Sequence, residues 1–330
     1  MNSKSFLKTL RRIVNRIKRA FGGGIRRGSP FVGELLDLDA ANAEISRLLE
    51  KEGGVMIARY GNTEMLCVAN YLGIKAGRHP LSYINGSQEA WWWNPEYVAL
   101  MDNAGFFHPT DEDLEKFCKL MIEDTQYIDL LGSWVPYEKV FSDRLSGVPK
   151  TRLQFLESYF SKNPWTASLK GKKVLVVHPF AKSIISQYAK RELLFSNPEI
   201  LPEFASLEVI PAVQSIGNGD DRFSNWFEAL DWMKSEIDSK DYDVCIIGCG
   251  AYGFPLAAHV KRQGKKAVHL GGALQLLFGI RGRRWDGDNY GVNVGFKPGQ
   301  YASLPNGHWI RPSADERPST AAKVENACYW

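Results

Sequence analysis

The spacing of apolar residues predicts that strands and helices alternate through the second half of the chain. Short apolar runs of strand length are separated by segments in which apolar residues recur every three or four positions. The predicted strands are 172–180, 206–212, 242–250 and 265–272, and the predicted helices are 180–191, 221–237, 253–263 and 272–279. Strands that alternate with helices pair in parallel. We therefore expect a doubly wound, mainly parallel, Rossmann-like α/β sheet with helices on both faces.

The first half of the chain carries the same patterns less regularly. Helices are predicted over 37–54, 62–72, 110–124 and 151–162, and strands over 55–59 and 127–134. Residues 75–110 are aromatic and irregular. We expect residues 28–310 to form a single α/β domain with halves 28–165 and 166–310. An arm at 1–27 precedes this domain, and a tail at 311–330 follows it.

The arm combines apolar residues at helical spacing with many cations. The apolar residues are Phe6, Leu10, Ile13, Val14, Ile17 and Phe21. Of the 41 Lys and Arg residues in the chain, nine lie in 1–27, which has no acid, and 32 lie in the remainder, against 37 Asp and Glu. A basic amphipathic helix is typical of a peripheral anchor on an anionic membrane surface. The alternatives are a helix packed on the body with a solvated basic face, and a non-catalytic adaptor whose function is the anchor itself.

Composition limits the compartment and the partners. Lys and Arg interrupt the apolar positions of the arm, which disfavours a signal peptide. No apolar stretch approaches the roughly 20 residues of a membrane-spanning helix. The five cysteines follow no disulfide or metal pattern, which favours reduced thiols. We expect a cytoplasmic protein, peripheral on the inner face of the cell membrane, and no nucleic-acid partner because the body is mildly acidic.

Polar and glycine residues follow the predicted strands. In open parallel sheets, ligands bind beyond the carboxyl ends of the strands, so residues that follow different strands meet at one edge. The candidate site residues are Arg59, Tyr60, Gly61, Asn62, Glu64, His178, Gln214, Ser215, Asp220, Asp221, Gly248, Gly250, Tyr252, Gly253 and His269. We expect them to form one binding site.

The segment GCGAYG has the spacing G-x-G-x-x-G between a predicted strand and a predicted helix. Gly248, Gly250 and Gly253 would let backbone N–H groups approach a phosphate. A dinucleotide site also needs an acid at the end of the next strand, where this chain has His269. We favour contact with a nucleotide phosphate. An NAD(P)-dependent oxidoreductase and a tight turn without a ligand are the alternatives.

Arg59 and Glu64 flank Gly61 where a buried strand meets a helix. An arginine offers a phosphate a bidentate fork. A carboxylate can hold a divalent ion that bridges phosphate oxygens. The alternative is an Arg–Glu ion pair that only stabilises the turn.

The hexapeptide RYGNTE, residues 59–64, resembles the Arg-aromatic-Gly-Asp-x-Glu element of the GT-D-fold bacterial glycosyltransferases. The block from Asp243 to Gly279 resembles the closing part of that fold, and the similarity spans about residues 40–285. The resemblance implies sugar transfer from a nucleotide-diphosphate donor, usually uridine diphosphate-linked, to a glycan or lipid-linked acceptor in bacterial surface polysaccharide biosynthesis. It also implies Mn²⁺ or Mg²⁺ on Glu64. Asn62 replaces the family's first acid and carries over only as a weak, uncharged metal ligand.

The remaining candidates each have a functional and a packing interpretation. The candidate catalytic residues are Glu64, Asp220 and Asp221, although one aspartate can instead cap helix 221–237. The candidate nucleotide contacts include Gln214, Ser215, His178 and His269, which can equally be turn or core residues. Trp91–Trp93 and Trp134 can stack on a sugar or belong to the core. Arg281, Arg283 and Arg284 can bind acceptor phosphates or form a solvated loop.

Overall fold

The computed structural model of the protein describes residues 3–21, 28–215, 220–323 and 327–330. Residues 22–27 of the predicted arm and residues 216–219 of the predicted site loop lie outside the described residues. Within the described ranges, eight strands form one sheet in which every pairing is parallel. The strands are β1 Leu35–Leu36, β2 Val55–Ala58, β3 Leu130–Ser133, β4 Lys150–Arg152, β5 Lys173–His178, β6 Ser206–Pro211, β7 Val244–Ile247 and β8 Lys266–His269, in the order β1-β4-β3-β2-β8-β7-β5-β6. The prediction of a parallel α/β sheet is confirmed.

Both faces of the central strands are buried, which explains why these strands are continuous apolar runs in the sequence. All four residues of β2 are buried, and β2 pairs with β8 through Ile57 and Val268. Met56 and Ala58 belong to one hydrophobic core, whereas Val55 and Ile57 belong to a second core. Because successive side chains of a strand point to opposite faces, the sheet has a hydrophobic layer on each side.

Helices cover both layers. In the described residues they are α1 Ser3–Ala20, α2 Leu38–Glu50, α3 Asn62–Ala76, α4 Pro80–Asn85, α5 Pro95–Asn103, α6 Asp111–Asp124, α7 Ala181–Tyr188, α8 Trp226–Asp238, α9 Gly253–Arg262 and α10 Leu274–Leu277. Helices α3, α6, α8 and α9 pack on the face of Met56, and α2, α7 and α10 pack on the face of Val55. No helix in this part of the chain combines the length and apolarity that crossing a membrane requires.

The strand connections reverse direction between β5 and β7. β5 leads through α7, on the Val55 face, to the edge strand β6, whereas β7 leads through α9, on the Met56 face, to the central strand β8. Ligands of open parallel sheets bind where such connections diverge. His178 ends β5 and Gly248 follows β7, so the topology places both residues at this crevice.

The predicted helix over 151–162 is wrong. The segment begins with β4, and 3₁₀ turns follow over Leu153–Leu156 and Ser158–Phe160. β4 pairs with β1 on one side and β3 on the other, and Thr151 Oγ1 donates to the Leu36 carbonyl at 3.2 Å. Pairing within the sheet therefore overrides a local apolar spacing that is helical in appearance.

Two other segments differ from their predictions, and the end of the tail is packed on the body. Residues 75–110 are not wholly irregular, because they contain α4 and α5, each of which starts with a proline. α8 starts at Trp226 because Asn225 caps it, with Asn225 Oδ1 accepting from the Phe227 N–H at 2.9 Å. The end of the tail returns to the body, where Trp330 is 8% exposed and belongs to the core on the Val55 face.

Candidate functional site

A cavity of about 450 Å³ opens at the carboxyl edge of the sheet. It lies where β2, β8, β7 and β5 end, and these four strands are adjacent in the sheet. The predicted site residues that line it are Arg59, Gly61, Asn62, Glu64, His178, Gln214, Ser215, Gly248, Gly250 and Tyr252. Residues that are far apart in sequence therefore meet in one space, as a parallel topology requires.

Arg59 lies between an aromatic ring and a glycine in the cavity wall. Its Cζ atom is 5.1 Å from the centre of the Trp134 ring, and a methyl group on Gly271 would come within 3.6 Å of the same atom. Burial lowers the pKa of Arg59, and the neighbouring Glu64 opposes that shift. The Nε atom is buried and has no hydrogen-bond partner among the described residues. The Arg59 side chain is half-buried, and a guanidinium with an unused buried donor is suited to an anionic ligand.

Trp134 is fixed in place by the backbone of Tyr60 and the side chain of Glu138. The indole Nε1 donates to the Tyr60 carbonyl at 2.7 Å, and Glu138 Oε1 accepts from the Trp134 N–H at 3.0 Å. The Tyr60 ring is fully buried, and its hydroxyl lies 2.8 Å from Thr125 Oγ1. Tyr60 thus belongs to the core rather than to the cavity lining, and it acts on the site only by holding Trp134.

Glu64 occupies the third position of α3, with its carboxylate directly above Gly61. A methyl group on Gly61 would lie 1.7 Å from Glu64 Oε2, so only glycine leaves room for this carboxylate. Burial raises the pKa of Glu64, and the charge of Arg59 opposes the increase. No ion pair joins Glu64 to Arg59 within 4.0 Å in the described structure. The pair is therefore not the simple turn-stabilising salt bridge that the sequence allows.

Glu157 is a second cavity carboxyl, which the sequence analysis missed. It follows β4 and its 3₁₀ turn, and it is 3% exposed. Burial raises the pKa of Glu157 to about 8, against opposing effects of Tyr301 and Arg284. Glu157 Oε2 has no hydrogen-bond partner among the described residues. The signal that could have identified Glu157 is its position just beyond a strand. The sequence analysis missed it because it predicted a helix over 151–162.

The glycine turn after β7 packs tightly against other backbone. Gly250 has a φ of +59°, and a methyl group there would lie 2.9 Å from the Ala104 carbonyl at the end of α5. A methyl group on Gly248 would lie 2.6 Å from the Gly271 carbonyl. The N–H groups of residues 251, 252 and 253 all donate to carbonyls of the protein. Close packing therefore accounts for these glycines, and three N–H donors of the turn are already in use.

The two candidate histidines are buried and neutral. Burial lowers the pKa of both His178 and His269 to about 3. His178 lines the cavity, and its Nδ1 accepts from the Phe180 N–H at 3.0 Å. His269 lies beneath the lining, against Gly253, where a methyl group would come within 2.1 Å of the His269 Cε1. His178 can therefore offer a ligand only an uncharged ring, while His269 and Gly253 support the floor.

Ser215 and Tyr252 join three segments around the cavity. Their oxygens are 2.7 Å apart, and Ser215 Oγ donates to the Gly105 carbonyl beyond α5 at 2.6 Å. Gln214 Nε2 donates to the Glu316 carbonyl at 3.0 Å, which ties the tail to the same edge. Gln214 Oε1 is buried and has no hydrogen-bond partner among the described residues. It is therefore an available acceptor for a ligand hydroxyl or amine.

Asp220 and Asp221 are not among the described residues that line the cavity. Asp220 accepts from Arg222 Nε at 2.9 Å and from Arg222 Nη2 at 2.8 Å, and these hydrogen bonds lower the pKa of Asp220. Asp221 is exposed, and neither aspartate caps α8, whose cap is Asn225. Of the three predicted catalytic residues, all of them described, Glu64 alone lines the cavity.

Aromatic rings and one arginine complete the wall. Besides Tyr252, the aromatic residues that line it are Trp134, Phe180, Trp285, Tyr290, Tyr329 and Trp330. Arg284 also lines it, with its Cζ 4.6 Å from the centre of the Tyr329 ring. Arg281 and Arg283, from the same basic motif, do not line this cavity, and neither do tryptophans 91–93. The C-terminal segment therefore supplies a part of the site that no pattern near the strands could predict.

The predicted metal ligands, Glu64 and Asn62, lie at the cavity but fit a divalent cation poorly. No group of three His, Cys, Asp or Glu residues within the described ranges could hold a metal ion. Asn62 offers an exposed, uncharged amide, and burial raises the pKa of Glu64, whereas a bound cation needs the ionised carboxylate.

No known family model matches the chain, and no curated protein or solved structure matches it significantly.

Proposed function

We propose that the protein transfers a sugar from a nucleoside-diphosphate donor to a hydroxyl acceptor. The observation that carries the proposal is the half-buried Arg59 side chain, whose buried Nε donor is unused, in a cavity that also holds Arg284. Two cations in one partly desolvated cavity suit the charge that develops on a diphosphate leaving group. The similarity of residues 59–64 to the Arg-aromatic-Gly-Asp-x-Glu element of the GT-D-fold glycosyltransferases supports the same assignment.

The reaction assigns separate roles to the cations, the carboxyls and the rings. The bond between the sugar C1 and the diphosphate oxygen breaks, and its electron pair leaves with the diphosphate, which Arg59 and Arg284 stabilise. A bond forms between C1 and the acceptor oxygen, and the acceptor proton passes to a carboxylate. Glu64 and Glu157 are the cavity carboxyls that can accept it. The face of Trp134 can stack on the C–H face of the sugar.

The ionisation of Glu157 makes it the better candidate for the base. A general base works best when its pKa lies near the operating pH. Burial raises the pKa of Glu157 to about 8, so the ionised, proton-accepting form becomes more populated as the pH rises from 6 to 8. The rate of transfer is expected to rise over the same interval.

A thermal-shift panel on the purified protein tests the proposal. It includes UDP, GDP, CMP, dTDP, NAD and NADP, each with Mn²⁺ and with EDTA. A ligand at 100 times its dissociation constant adds about 2.7 kcal/mol of stability, which raises the melting temperature measurably. We expect a shift with a nucleoside diphosphate, lost in Arg59→Ala and kept in Arg283→Ala, a surface arginine of the basic motif that does not line the cavity.

Other outcomes of the thermal-shift panel would contradict the transferase or assign a metal to the site. A shift with NAD or NADP alone would assign the glycine turn to a dinucleotide and overturn the transferase. No shift with any nucleotide would also contradict it. Loss of the nucleoside-diphosphate shift in EDTA would show that Glu64 and Asn62 hold a metal once the donor is bound.

A further inference from the structure

Helix α1 packs on the body through its cations. Arg11 Nη2 lies 2.5 Å from Glu89 Oε1, and both side chains are about one-tenth exposed. Lys8 Nζ donates to Asn94 Oδ1 at 3.1 Å, and Lys18 Nζ donates to the Asn85 carbonyl at 2.5 Å. Positions 8, 11 and 18 fall on one face of a helix. That basic face is therefore directed at the protein and is not free to meet an external surface.

Most of the apolar face of α1 is consequently turned outward, while Leu10 and Val14 on its flank are half-buried. The exposed fractions are 49% for Phe6, 47% for Ile13, 52% for Ile17 and 86% for Phe21, which follows the last turn. These positions lie within roughly a quarter of the helix circumference at about 100° per residue. Soluble surfaces expose such side chains singly, and a contiguous row marks an interaction site. We call these four residues the outer apolar row.

Charge beside the row favours a lipid surface as its partner. Arg16 is exposed, Arg12 is 70% exposed although it lies 3.6 Å from the equally accessible Glu96 carboxylate, and α1 contains no acidic residue. In a second copy of this helix, packed row against row, arginines would meet arginines with no acid to pair them. The phosphates of anionic lipid headgroups complement Arg12 and Arg16 while the acyl region receives the row. We propose that the outer apolar row of α1 binds an anionic membrane surface, with the helix lying in the plane of that surface.

The orientation of α1 on the body changes the main driving force for membrane binding. The sequence predicts an anchor in which several cations of the arm attract the anionic headgroups. In the structure Lys8, Arg11 and Lys18 are already engaged with the body, so burial of apolar side chains provides most of the affinity. Raising the salt concentration screens only the flanking arginines. Vesicle binding is therefore expected to fall only a few-fold between 0.1 and 0.5 M NaCl.

The membrane surface would lie one short helix away from the cavity. Lys8 and Arg12 reach Glu96, in the first turn of α5, at 3.4 and 3.6 Å. Beyond the middle of α5, Leu100 and Ala104 line the cavity. Nine residues of helix span roughly 14 Å at about 1.5 Å per residue. A bound α1 would hold the cavity close to the lipid, whichever reaction the cavity performs.

The test uses the full chain and sedimenting vesicles of phosphatidylcholine, alone or with 30% phosphatidylglycerol. We expect binding to the anionic vesicles. The triple variant Ile13→Ser, Ile17→Ser, Phe21→Ser should lower the partition coefficient at least tenfold. The matched control Ile185→Ser, Leu193→Ser, Val292→Ser removes three other exposed apolar side chains and should bind as the wild type does.

The measurement does not need turnover, so it is independent of the proposed transfer reaction. Equal melting temperatures of the two triple variants would show that both are folded. Wild-type binding that survives the α1 triple variant would overturn the proposal. Failure of the wild type to bind either vesicle would do so as well, and a dimer that the same variant dissociates would assign the row to self-association.

Discussion

Replacing Glu157 with glutamine is expected to change how the stability of the protein depends on pH. Burial raises the pKa of this carboxyl from 4.5 to about 8. The folded protein therefore keeps a proton that the unfolded chain releases. The stability associated with this group is complete below pH 4.5, declines as the pH rises, and is lost once the pH has passed about 8.

The size of the effect follows from the pKa difference. Each unit is worth about 1.4 kcal/mol, so between pH 5 and pH 8 the wild type should lose about 3 kcal/mol that Glu157→Gln does not lose. Urea titrations followed by tryptophan fluorescence at pH 5, 6, 7 and 8 give the free energy of unfolding against pH for the wild type and for Glu157→Gln. Glu192→Gln, at a surface carboxyl that is 78% exposed, should follow the wild type throughout. Parallel curves for the wild type and Glu157→Gln would refute the assignment of a protonated, buried carboxyl at the cavity.

Three further substitutions test the packing around the cavity. Arg59→Lys keeps the charge but not the guanidinium fork, so nucleoside-diphosphate affinity should fall at least about tenfold by calorimetry, with little change in melting temperature. Gly61→Ala places a methyl group 1.7 Å from Glu64 Oε2. It should lower kcat/KM about 10²-fold and as much as Glu64→Gln does, and normal activity would contradict the placement of the carboxylate. Gly253→Ala meets the His269 ring at 2.1 Å and should destabilise the protein by about 1–3 kcal/mol in urea, a loss that His269→Ala partly relieves.

The sheet and its functional edge follow from local patterns in the sequence. The inner strands of the second half, β5, β7 and β8, are apolar without alternation because both faces of the sheet are covered there, as the runs Val174–Val177 and Val244–Ile247 show. Once the strands are known to be parallel, Arg59, His178 and Gly248 must lie at the same edge. Physical rules therefore predict the position of the cavity before its shape is known.

The missed features all depend on contacts between distant segments. β4 is only three residues long and is held by its neighbours, so local spacing does not reveal the strand that Glu157 follows. Tyr329 and Trp330 reach the cavity from the far end of the chain. The contact between Arg11 and Glu89 decides which face of α1 is turned toward the body. The spacing of residues within α1 carries no information about that contact. The spacing and composition of its residues show that a helix has an apolar and a polar face. Which of the two faces is buried depends on the surface that the helix packs against.

The glycines around the cavity lie where other groups of the protein approach the backbone closely. The G-x-G-x-x-G spacing is the conspicuous signal in the sequence, yet Gly253 makes room for His269, and Gly250 makes room for the Ala104 carbonyl. Gly61 makes room for the Glu64 carboxylate. Gly61 is not part of the G-x-G-x-x-G sequence. A glycine is required wherever another group approaches its Cα closely, and a ligand phosphate is only one such group. At Gly61 the group that approaches the backbone is the side-chain carboxylate of Glu64. The sequence G-x-x-E at 61–64 is therefore more informative about the site than the G-x-G-x-x-G sequence at 248–253.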